Sequence, residues 1–431
     1  MNLRKTAKRF IPVGLYPAIE PYGHLAEAIL LNIINGFPGR GMNVIGVTGT
    51  NGKTSTAFLI QRMLHEAGYK VGLMTTVGFG VGTEITPQIH HMTNVSVPEL
   101  MSRLKSMKAQ GVDWLVLETT SHALAQNRVW GVPYSIVVLT NVTHEHLDYH
   151  RTFARYRDAK RKLFQLANRN RRGLRIGIIN AEDPSADLFA QDIQNPILYG
   201  IDKGGVQATN VQLAPTGVKY DVAIGSETYK INCNLPGSFN VFNSLAALCV
   251  GRAIGLTKTQ IEQGIGALEG VEGRMTRIDE GQDFDVIVDY AHTPDSFEKL
   301  FKDLKPVVAG KLIVMFGSAG RRDEAKRAVQ GELAGSYCDE LIITEEDDRD
   351  IDGAAIMQQI AAGAQKAGKI LDKDLFLVHD RTAAIAFTIS RATSGDTVLL
   401  LGKGHEKTIE RANGENDWDE IGSAHAALRS R

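Results

Sequence analysis

The sequence predicts an α/β protein with two parallel β-sheets, and three features of the chain lead to this prediction. Short apolar runs with strand character alternate with amphipathic helical segments over most of the 431 residues. This alternation stops near residue 206, where short alternating segments follow one another, and it resumes after residue 274. Apolar residues make up 43% of the chain, which is enough for each of the two units to bury its own core.

Charge and cysteine content exclude several classes of protein. The chain has 48 Lys and Arg against 49 Asp and Glu, so it lacks the excess of cations that is typical of nucleic-acid-binding proteins. Cys233, Cys249 and Cys338 are widely spaced, which argues against a disulfide framework or a structural zinc site. No signal-length apolar core follows the basic residues near the N-terminus, and no run reaches the roughly 18 apolar residues of a membrane span. We therefore expect a cytoplasmic protein with no membrane span and no nucleic-acid partner.

The first α/β unit is expected from residue 41 onward. Residues 1–40 are too few for a typical domain; they include the apolar helical stretch Ala26–Ile34 and end in a glycine-rich linker. Strands of a parallel sheet are predicted at Asn43–Val47, Trp114–Glu118, Ser135–Thr140 and Arg175–Asn180. A small antiparallel sheet is predicted next, at Val206–Leu213, Val218–Ile224 and Glu227–Cys233.

The second α/β unit is expected after a boundary near Gly273. The predicted domains are therefore residues 41–273 and 274–431, preceded by a short segment and linker. Strands of the second sheet are predicted at Val286–Tyr290, Leu312–Phe316, Glu340–Thr344, Leu375–Val378 and Thr397–Leu401.

The most specific motif is GVTGTNGKTS at residues 46–55, between a predicted strand and the helical segment Ala57–Ala67. Glycines at such a position let backbone N–H groups surround a phosphate at a helix N-terminus. Lys53 would neutralise the phosphate, and the Thr54 hydroxyl would reach Mg²⁺. Val47 stands where the usual spacing has a glycine, so the motif is a variant. We favour a nucleotide-binding P-loop over a glycine-rich turn without nucleotide.

Possible metal ligands follow the next two predicted strands. Glu118 ends one strand, and residues 140–150 hold His144, His146 and His150. A zinc cluster is conceivable, but the spacing gives no clear four-ligand set, so a Mg²⁺ site shared with phosphate is favoured. Taken singly, His144 or His150 is more typical of a surface or core residue. Without the other motifs, residues 158–164 would be interpreted only as a solvated basic helix face. The asparagine side chains within 235–247 would likewise be interpreted as helix caps.

Taken in order, these segments resemble the Mur ligase family, the ATP-dependent amide ligases that build the peptidoglycan stem peptide. The motifs that carry the resemblance are TGTNGKTS at 48–55, ETTSH at 118–122, TNVTHEHLDYH at 140–150, DAK at 158–160, PGSFNVFN at 236–243, GRM at 273–275 and DYAHTP at 289–294. Residues 121–128, 146–150 and 401–406 are most similar to the UDP-N-acetylmuramoyl-tripeptide synthetases of that family. These add a diamino acid to a muramoyl dipeptide that ends in D-Glu.

The resemblance implies a P-loop central domain followed by a Rossmann-like α/β C-terminal domain. ATP would phosphorylate a carboxylate, and an amine would then displace the phosphate. The implied catalytic residues are Lys53, Glu118, His146 and Lys160; the implied Mg²⁺ ligands are Thr54, Glu118, His146 and a carbamylated Lys160. Contacts to ATP are implied for Gly49, Thr50, Asn51, Gly52, Lys53, Thr54, Ser55, Asn240, Asn243, Arg274 and Asp289.

The implied substrate contacts fall into two groups. The muramoyl dipeptide would meet Thr93, Asn94, Ser121, Gln126 and Arg128, whereas the incoming amino acid would meet Arg349, Gly402 and Glu406. The family's Asp-Asn-Pro-Arg motif reads Glu346-Asp347-Asp348-Arg349 here. Arg349 with Glu406 suits a zwitterionic end and favours meso-diaminopimelate; the neighbouring acids make lysine the second choice. The alternative is that Glu345–Asp350 forms a solvated acidic loop.

Residues 1–40 cannot build the N-terminal domain that holds UDP in the stem-peptide ligases, so we expect this domain to be lacking. The acceptor could then be UDP-linked and held by the central domain, or not UDP-linked, as in folylpolyglutamate synthetase, a relative with the same two-domain core. Two non-ligase alternatives are a non-catalytic nucleotide-binding scaffold and a simple ATPase or kinase. We expect a monomer.

Overall fold

The computed structural model describes residues 16–88, 93–214 and 216–431, and it confirms the predicted α/β class. The chain divides into two compact units. The first contains the described residues up to Thr209, with Asp221–Ile231 and Phe242–Ala267. The second contains Asn210–Tyr220, Asn232–Val241 and Leu268–Arg431. None of the described helices has both the length and the apolarity that a bilayer crossing requires.

A nine-stranded sheet forms the centre of the first unit, in the spatial order β4-β3-β2-β5-β1-β6-β7-β8-β9. All neighbouring strands run parallel except at the end that β3 and β4 form. The strands are β1 Asn43–Thr48, β2 Val71–Met74, β3 Gly78–Val81, β4 Glu84–Pro87, β5 Trp114–Glu118, β6 Tyr134–Leu139, β7 Ile176–Asn180, β8 Asn195–Gly200 and β9 Val206–Gln207.

The middle of this sheet places three chain segments side by side. β1 pairs in parallel with both β5 and β6, so that Val47 lies opposite Glu118 and Thr48 opposite Leu139. The carboxyl ends of the three strands therefore meet at one edge. In open parallel sheets, ligands bind at this kind of edge, where the strand order reverses.

The other elements up to Gly266 are helices and a small three-stranded sheet. The apolar stretch predicted as a short helix begins earlier than expected, at Tyr16. The predicted strand Val206–Leu213 is two strands, β9 and β10, and a three-stranded sheet has the order β10-β11-β12. Its strands are β10 Thr209–Ala214, β11 Gly217–Ile224 and β12 Glu227–Cys233. The helices are α1 Tyr16–Ile34, α2 Lys53–Glu66, α3 Val97–Ala109, α4 Ser121–Ala125, α5 Leu147–His150, α6 Phe153–Arg169, α7 Ala186–Ala190, α8 Phe239–Ile254 and α9 Lys258–Gly266.

The second unit contains a six-stranded sheet with the order β13-β14-β18-β15-β16-β17, in which only β13 is antiparallel to its neighbour. Its strands are β13 Thr276–Ile278, β14 Asp285–Asp289, β15 Leu312–Phe316, β16 Glu340–Ile343, β17 Leu375–Leu377 and β18 Thr397–Leu401. A hairpin of β19 Thr408–Arg411 and β20 Gly414–Asp417 follows. The helices are α10 Pro294–Leu304, α11 Ala325–Tyr337, α12 Gly353–Lys366, α13 Arg381–Ser390 and α14 Glu420–Arg429, with a 3₁₀ turn at Lys305–Val307.

Both faces of the second sheet are buried. Alternate side chains of each central strand enter two separate cores: Val314 and Leu399 lie in one, whereas Ile313 and Leu400 lie in the other. Such continuous apolar strands are expected when helices cover both faces of a parallel sheet. Because β14 to β18 run parallel, their carboxyl ends meet at a common edge. Asp289, Gly402 and Glu345–Arg349 are located at this edge.

Candidate active site

The loop between β1 and α2 depends on two glycines. A Cβ atom at Gly49 would lie 1.9 Å from Thr140 Oγ1, so this position has no room for a side chain. Gly52 precedes α2 with a φ of 82°, and a Cβ there would lie 2.4 Å from Asn243 Oδ1. The backbone therefore approaches both the end of β6 and the helix α8, which leaves its amides at the N-terminus of α2, as an anion-binding loop requires.

Residues after β6 hold this loop in position. Asn141 accepts from the Asn51 amide through Oδ1 at 2.9 Å and donates to the Asn51 carbonyl at 3.0 Å. The Asn141 carbonyl accepts from the Thr50 amide at 2.8 Å. The Thr50 hydroxyl lies 3.0 Å from the Tyr156 hydroxyl, and Lys53 Nζ donates to the Thr50 carbonyl at 2.7 Å. The loop conformation is thus fixed by contacts with residues about 90 positions later in sequence.

Glu118 is a buried carboxylate that accepts hydrogen bonds from neutral groups. Thr54 Oγ1 donates to Oε2 at 3.0 Å, and Thr76 donates to the two oxygens through its amide and its hydroxyl, each at 3.1 Å. The Thr76 hydroxyl lies 2.7 Å from that of Thr93. No Lys or Arg of the described ranges forms an ion pair with Glu118. A buried carboxylate without a cation is costly, and its oxygens together with the Thr54 hydroxyl are the hard ligands that Mg²⁺ prefers.

Asn94 and Arg128, both predicted to contact substrate, support the chain beside Glu118. Asn94 donates to the Glu118 carbonyl at 2.8 Å and accepts from the Thr120 amide at 2.8 Å. Arg128 is buried and donates through Nη1 to the Asn94 carbonyl. The structure therefore gives these two residues a supporting role at the end of β5.

Lys160 is buried on α6, and its Nζ donates to the Gly49 carbonyl and lies 4.5 Å from the centre of the Tyr156 ring. Burial, followed by repulsion from Lys53, lowers the pKa of Lys160 well below its ordinary value; Glu145, Glu118 and Asp183 act in the opposite direction. The amine thus lies against the loop, in surroundings that disfavour its protonated form, which a solvated helix face would not do.

A second group contains three histidines and two residues that are predicted to contact the muramoyl dipeptide. The rings of His122 and His146 lie 4.7 Å apart, and that of His150 lies 5.3 Å from His122. His150 Nε2 lies 3.0 Å from Ser121 Oγ. Gln126 donates to Glu20 on α1 at 3.4 Å. The side chain of His146 is 42% exposed, so this predicted metal ligand is open to solvent.

The remaining predicted ATP residues are divided between the units. Ser55 and Asn243 are buried in the first unit, where Asn243 accepts from the Thr56 hydroxyl at 3.1 Å. Asn240 belongs to the second unit and donates to the Pro236 carbonyl at 2.6 Å. Asn240 and Asn243 both lie inside α8, so neither residue is a cap that precedes the helix.

Arg274 and Asp289 lie near one another in the second unit. Asp289 accepts from the amides of Met275 and Ala291, each at 2.7 Å. Burial raises the pKa of Asp289, although Arg274 and these amides lower it. The Arg274 guanidinium lies 4.6 Å from the centre of the Tyr290 ring, and its Nε is buried with no hydrogen-bond partner among the described residues.

The interpretation of Glu345–Asp350 as a solvated acidic loop is wrong for Glu345–Asp348 and holds only for Asp350, which is exposed. The side chains from Glu345 to Asp348 are buried because they lie at the carboxyl edge of the second sheet, among cations. Lys403 donates to Asp347 at 2.9 Å and also to Glu406, which accepts from the Tyr290 hydroxyl at 3.1 Å. Burial raises the pKa of Glu346 to about 7.

The acidic residues in a cluster of possible metal ligands in this region already have protein partners. Glu345, Asp348 and His379 approach one another closely. Glu345, however, accepts two hydrogen bonds from Arg411, at 2.6 and 2.8 Å, and Asp348 lies 2.8 Å from His379 Nε2. We place no metal at this cluster.

Arg349 does not pair with Glu406. Its Nε donates to Glu410 on β19 at 2.7 Å, and its Nη1 donates to the Gly320 carbonyl at 2.6 Å. Gly402 has a φ of 104°, and a Cβ there would lie 2.7 Å from Glu346 Oε2. Arg349, Gly402 and Glu406 all lie in the second unit, but both charged residues already have internal partners.

Sequence reasoning missed several partners of these residues. Thr76, Asn141 and Tyr156 contact Glu118 or the loop, and Glu410 contacts Arg349. Asn141 and Tyr156 stand in or near quoted motifs and were detectable in principle. Thr76 and Glu410 had no signal, because their relevance depends on strand pairing and on a hairpin that the sequence did not indicate.

Comparison with known proteins identifies relatives of both units. The family model of the Mur ligase middle domain matches residues 47–251, and that of the Mur ligase glutamate ligase domain matches residues 273–404. A UDP-N-acetylmuramyl-tripeptide synthetase of Roseiflexus sp. (strain RS-1) is 42% identical, covering 96% of this chain and 84% of the relative. A UDP-N-acetylmuramoyl-L-alanyl-D-glutamate--2,6-diaminopimelate ligase of Geobacillus thermodenitrificans (strain NG80-2) is 37% identical, covering 99% and 86%.

Solved structures with the same architecture include enzymes of different substrate class. A UDP-N-acetylmuramoyl-L-alanyl-D-glutamate--2,6-diaminopimelate ligase superimposes with a TM-score of 0.65 at 27% identity, covering 96% of this chain and 83% of that chain. A Mycobacterium tuberculosis folylpolyglutamate synthase with ADP has a TM-score of 0.73 at 16% identity, and 94% of each chain is covered. The second similarity shows a shared fold alone.

Proposed function

The chain belongs to the Mur ligase family of ATP-dependent, ADP-forming ligases, and we propose that it adds a diamino acid to a UDP-linked muramoyl dipeptide ending in D-Glu, in peptidoglycan and cell-wall synthesis. The observation that carries the proposal is the buried Glu118, which joins the P-loop through Thr54 and the predicted dipeptide residue Thr93 through Thr76. A carboxylate that we propose as a metal ligand thus lies between the proposed nucleotide and acceptor sites. We assign ATP binding to residues 41–273 and amino-acid binding to residues 274–431, and we expect a cytoplasmic monomer.

The geometry supports chemistry in which two anions must approach each other. Backbone amides of residues 49–52 and the Lys53 ammonium bind the phosphates, with Asn243 supporting the loop. Mg²⁺, held by Thr54, Glu118, His146 and carbamylated Lys160, would supply the charge that lowers this repulsion. An oxygen of the acceptor carboxylate attacks the γ-phosphorus and ADP leaves. The amine of the second substrate then attacks the acyl carbon, and inorganic phosphate leaves with that oxygen.

The identity of the amino acid rests on the second unit. The sequence favours meso-diaminopimelate through Arg349 and Glu406, with lysine as the second choice. Support for a diamino acid in general comes from the names of relatives above, which include both a tripeptide synthetase and a diaminopimelate ligase. Arg274 and Asp289 are proposed to contact ATP from this unit.

Product analysis by mass spectrometry tests the proposal. Wild-type protein with ATP, Mg²⁺ and UDP-muramoyl dipeptide should form a tripeptide and ADP in equal amounts, and only when a diamino acid is present. Lys53→Ala should abolish turnover because the phosphates lose the loop's side-chain cation, whereas Lys105→Ala, which removes an exposed lysine of α3, should not.

The acceptor panel also separates the alternatives. Turnover with a dipeptide that lacks UDP, or with a folylpolyglutamate-type acceptor, and none with the UDP-linked dipeptide, would contradict the proposed substrate. ATP hydrolysis that is independent of any amino acid would contradict ligase activity, and a complete lack of turnover would favour a scaffold.

A further inference from the structure

Arg349 has limited capacity to bind a carboxylate of the amino acid. A guanidinium presents five N–H donors, and its edge formed by Nε and Nη2 is one that binds carboxylates with two parallel bonds. Glu410 Oε2 already occupies Nε of this edge at 2.7 Å, and the Gly320 carbonyl takes a donor of Nη1 at 2.6 Å. The positive charge of Arg349 is therefore matched before any substrate binds.

Glu410 is held in this position by the backbone around it. Its carbonyl accepts from the Arg349 amide at 3.0 Å, and its own amide donates to Asp347 Oδ1 at 2.9 Å. Asp347 is in turn fixed by the buried Lys403. The hairpin β19–β20 is thus joined to residues 347–349 by hydrogen bonds on both sides of the ion pair, which reduces the entropy cost of the pairing.

The opposite end of the same loop carries a second carboxyl group. The carboxyl of Glu346 lies beside Gly402, which is a proposed contact of the amino acid. No hydrogen bond to this carboxyl is found within the part of the chain that the structure describes. A substrate ammonium would find a carboxyl partner in Glu346, whereas a substrate carboxylate that approached Arg349 would meet Glu410 as a like charge.

We propose that Glu410 is a specificity-determining positioning residue, which occupies the carboxylate-reading edge of Arg349 and makes the enzyme prefer a diamino acid with one carboxylate, such as lysine, over meso-diaminopimelate. This inference rests on the proposed function and reverses the order that the sequence suggests. Arg349 then has a structural partner in a lysine site, so its presence no longer argues for a second carboxylate in the substrate.

The test compares kcat/KM for lysine and meso-diaminopimelate in wild type and in Glu410→Gln. Wild type should favour lysine by about tenfold or more, and Glu410→Gln should raise kcat/KM for meso-diaminopimelate by about tenfold through a lower KM, because a charge-assisted pair becomes available. Lysine turnover should change little. The matched control is Asp417→Asn, which removes an exposed charge from the same hairpin and should alter neither value.

The possible outcomes lead to distinct conclusions. An unchanged ratio of the two values in Glu410→Gln, or a wild-type preference for meso-diaminopimelate, would overturn the inference and leave the ligase proposal in place. Absence of tripeptide with either amino acid in wild type would reject both. If Glu410→Gln loses lysine turnover as well, Glu410→Asp decides, since its shorter carboxylate keeps the charge: a gain with meso-diaminopimelate supports the inference and no gain overturns it.

Discussion

Lys160 is a buried lysine whose surroundings disfavour its protonated form. Its side chain is enclosed beside the Gly49 carbonyl and the Tyr156 ring, and burial lowers the pKa of the amine. A neutral amine can attack carbon dioxide; an N–C bond forms, a proton leaves, and the product is an anionic carbamate. The carbamate would restore an anion to a site where the nearby Lys53 disfavours a second cation, and it would provide oxygen ligands for Mg²⁺.

We predict that Lys160→Ala lowers kcat by about 10- to 100-fold or more, the scale expected when a metal-site ligand or its support is lost. Short carboxylic acids such as acetate should restore part of the activity by supplying the missing anion. Lys162→Ala, on the exposed side of the same helix, is the control. A fully active Lys160→Ala variant would show that the residue holds the loop only as an amine or is dispensable.

At the scale of elements, the loop between β1 and α2 is held in its conformation by its contacts as much as by its glycines. Gly52 combines a left-handed backbone with a close approach to Asn243, whereas Gly68, just after the same helix, is left-handed with no atom near its missing Cβ. A substitution at Gly68 therefore measures only the cost of placing a side chain on a left-handed backbone. A substitution at Gly52 adds a steric clash to that cost.

Gly52→Ala should therefore weaken ATP binding, because the new methyl group must displace Asn243 or the loop itself. Gly68→Ala should cost only the backbone penalty of about 1–2 kcal/mol in stability and leave ATP affinity unchanged. Calorimetric titration with ATP and thermal unfolding of both variants provide the measurements. Equal ATP affinity in Gly52→Ala and wild type would mean that the close approach seen at Asn243 is not needed for binding.

Elements built from local patterns were predictable, and those that depend on distant partners were not. β5, β15 and β18 have the predicted bounds, because apolar runs between turns identify buried strands. β12 also has the predicted bounds, because its side chains alternate between polar and apolar, as in a half-buried strand. The short strands β2 to β4 were missed: β2 has only four residues and β4 is largely exposed. Element types thus followed from composition, but strand order did not.

The same distinction applies to the candidate site. The P-loop, Glu118 and Lys160 were named from motifs, and the structure brings them together around the edge between β1, β5 and β6. The partner of Arg349 was not foreseeable, since Glu410 lies 61 residues away on a hairpin without a sequence signature. Pairing of charges across such separations is decided by tertiary structure.

At the scale of the whole molecule, the residues proposed to carry out the reaction are divided between two sheets. Each is an open, mainly parallel sheet, and several of the predicted functional residues follow the carboxyl ends of its strands, as ligand sites in such folds do. The first carries the phosphate loop and the buried carboxylate, and the second carries the residues proposed to read the amino acid. The central claim is that these sites serve one reaction through an acyl phosphate.

Oxygen transfer from the acceptor to phosphate tests this claim most directly. With ¹⁸O in the D-Glu carboxylate of the muramoyl dipeptide, ATP, Mg²⁺ and lysine, each tripeptide formed should be accompanied by one inorganic phosphate that carries one ¹⁸O, as measured by mass spectrometry. The label moves because the oxygen that attacks the γ-phosphorus leaves with it when the amine displaces phosphate. Tripeptide formation with unlabelled phosphate would contradict the acyl phosphate and, with it, the account of the site given above.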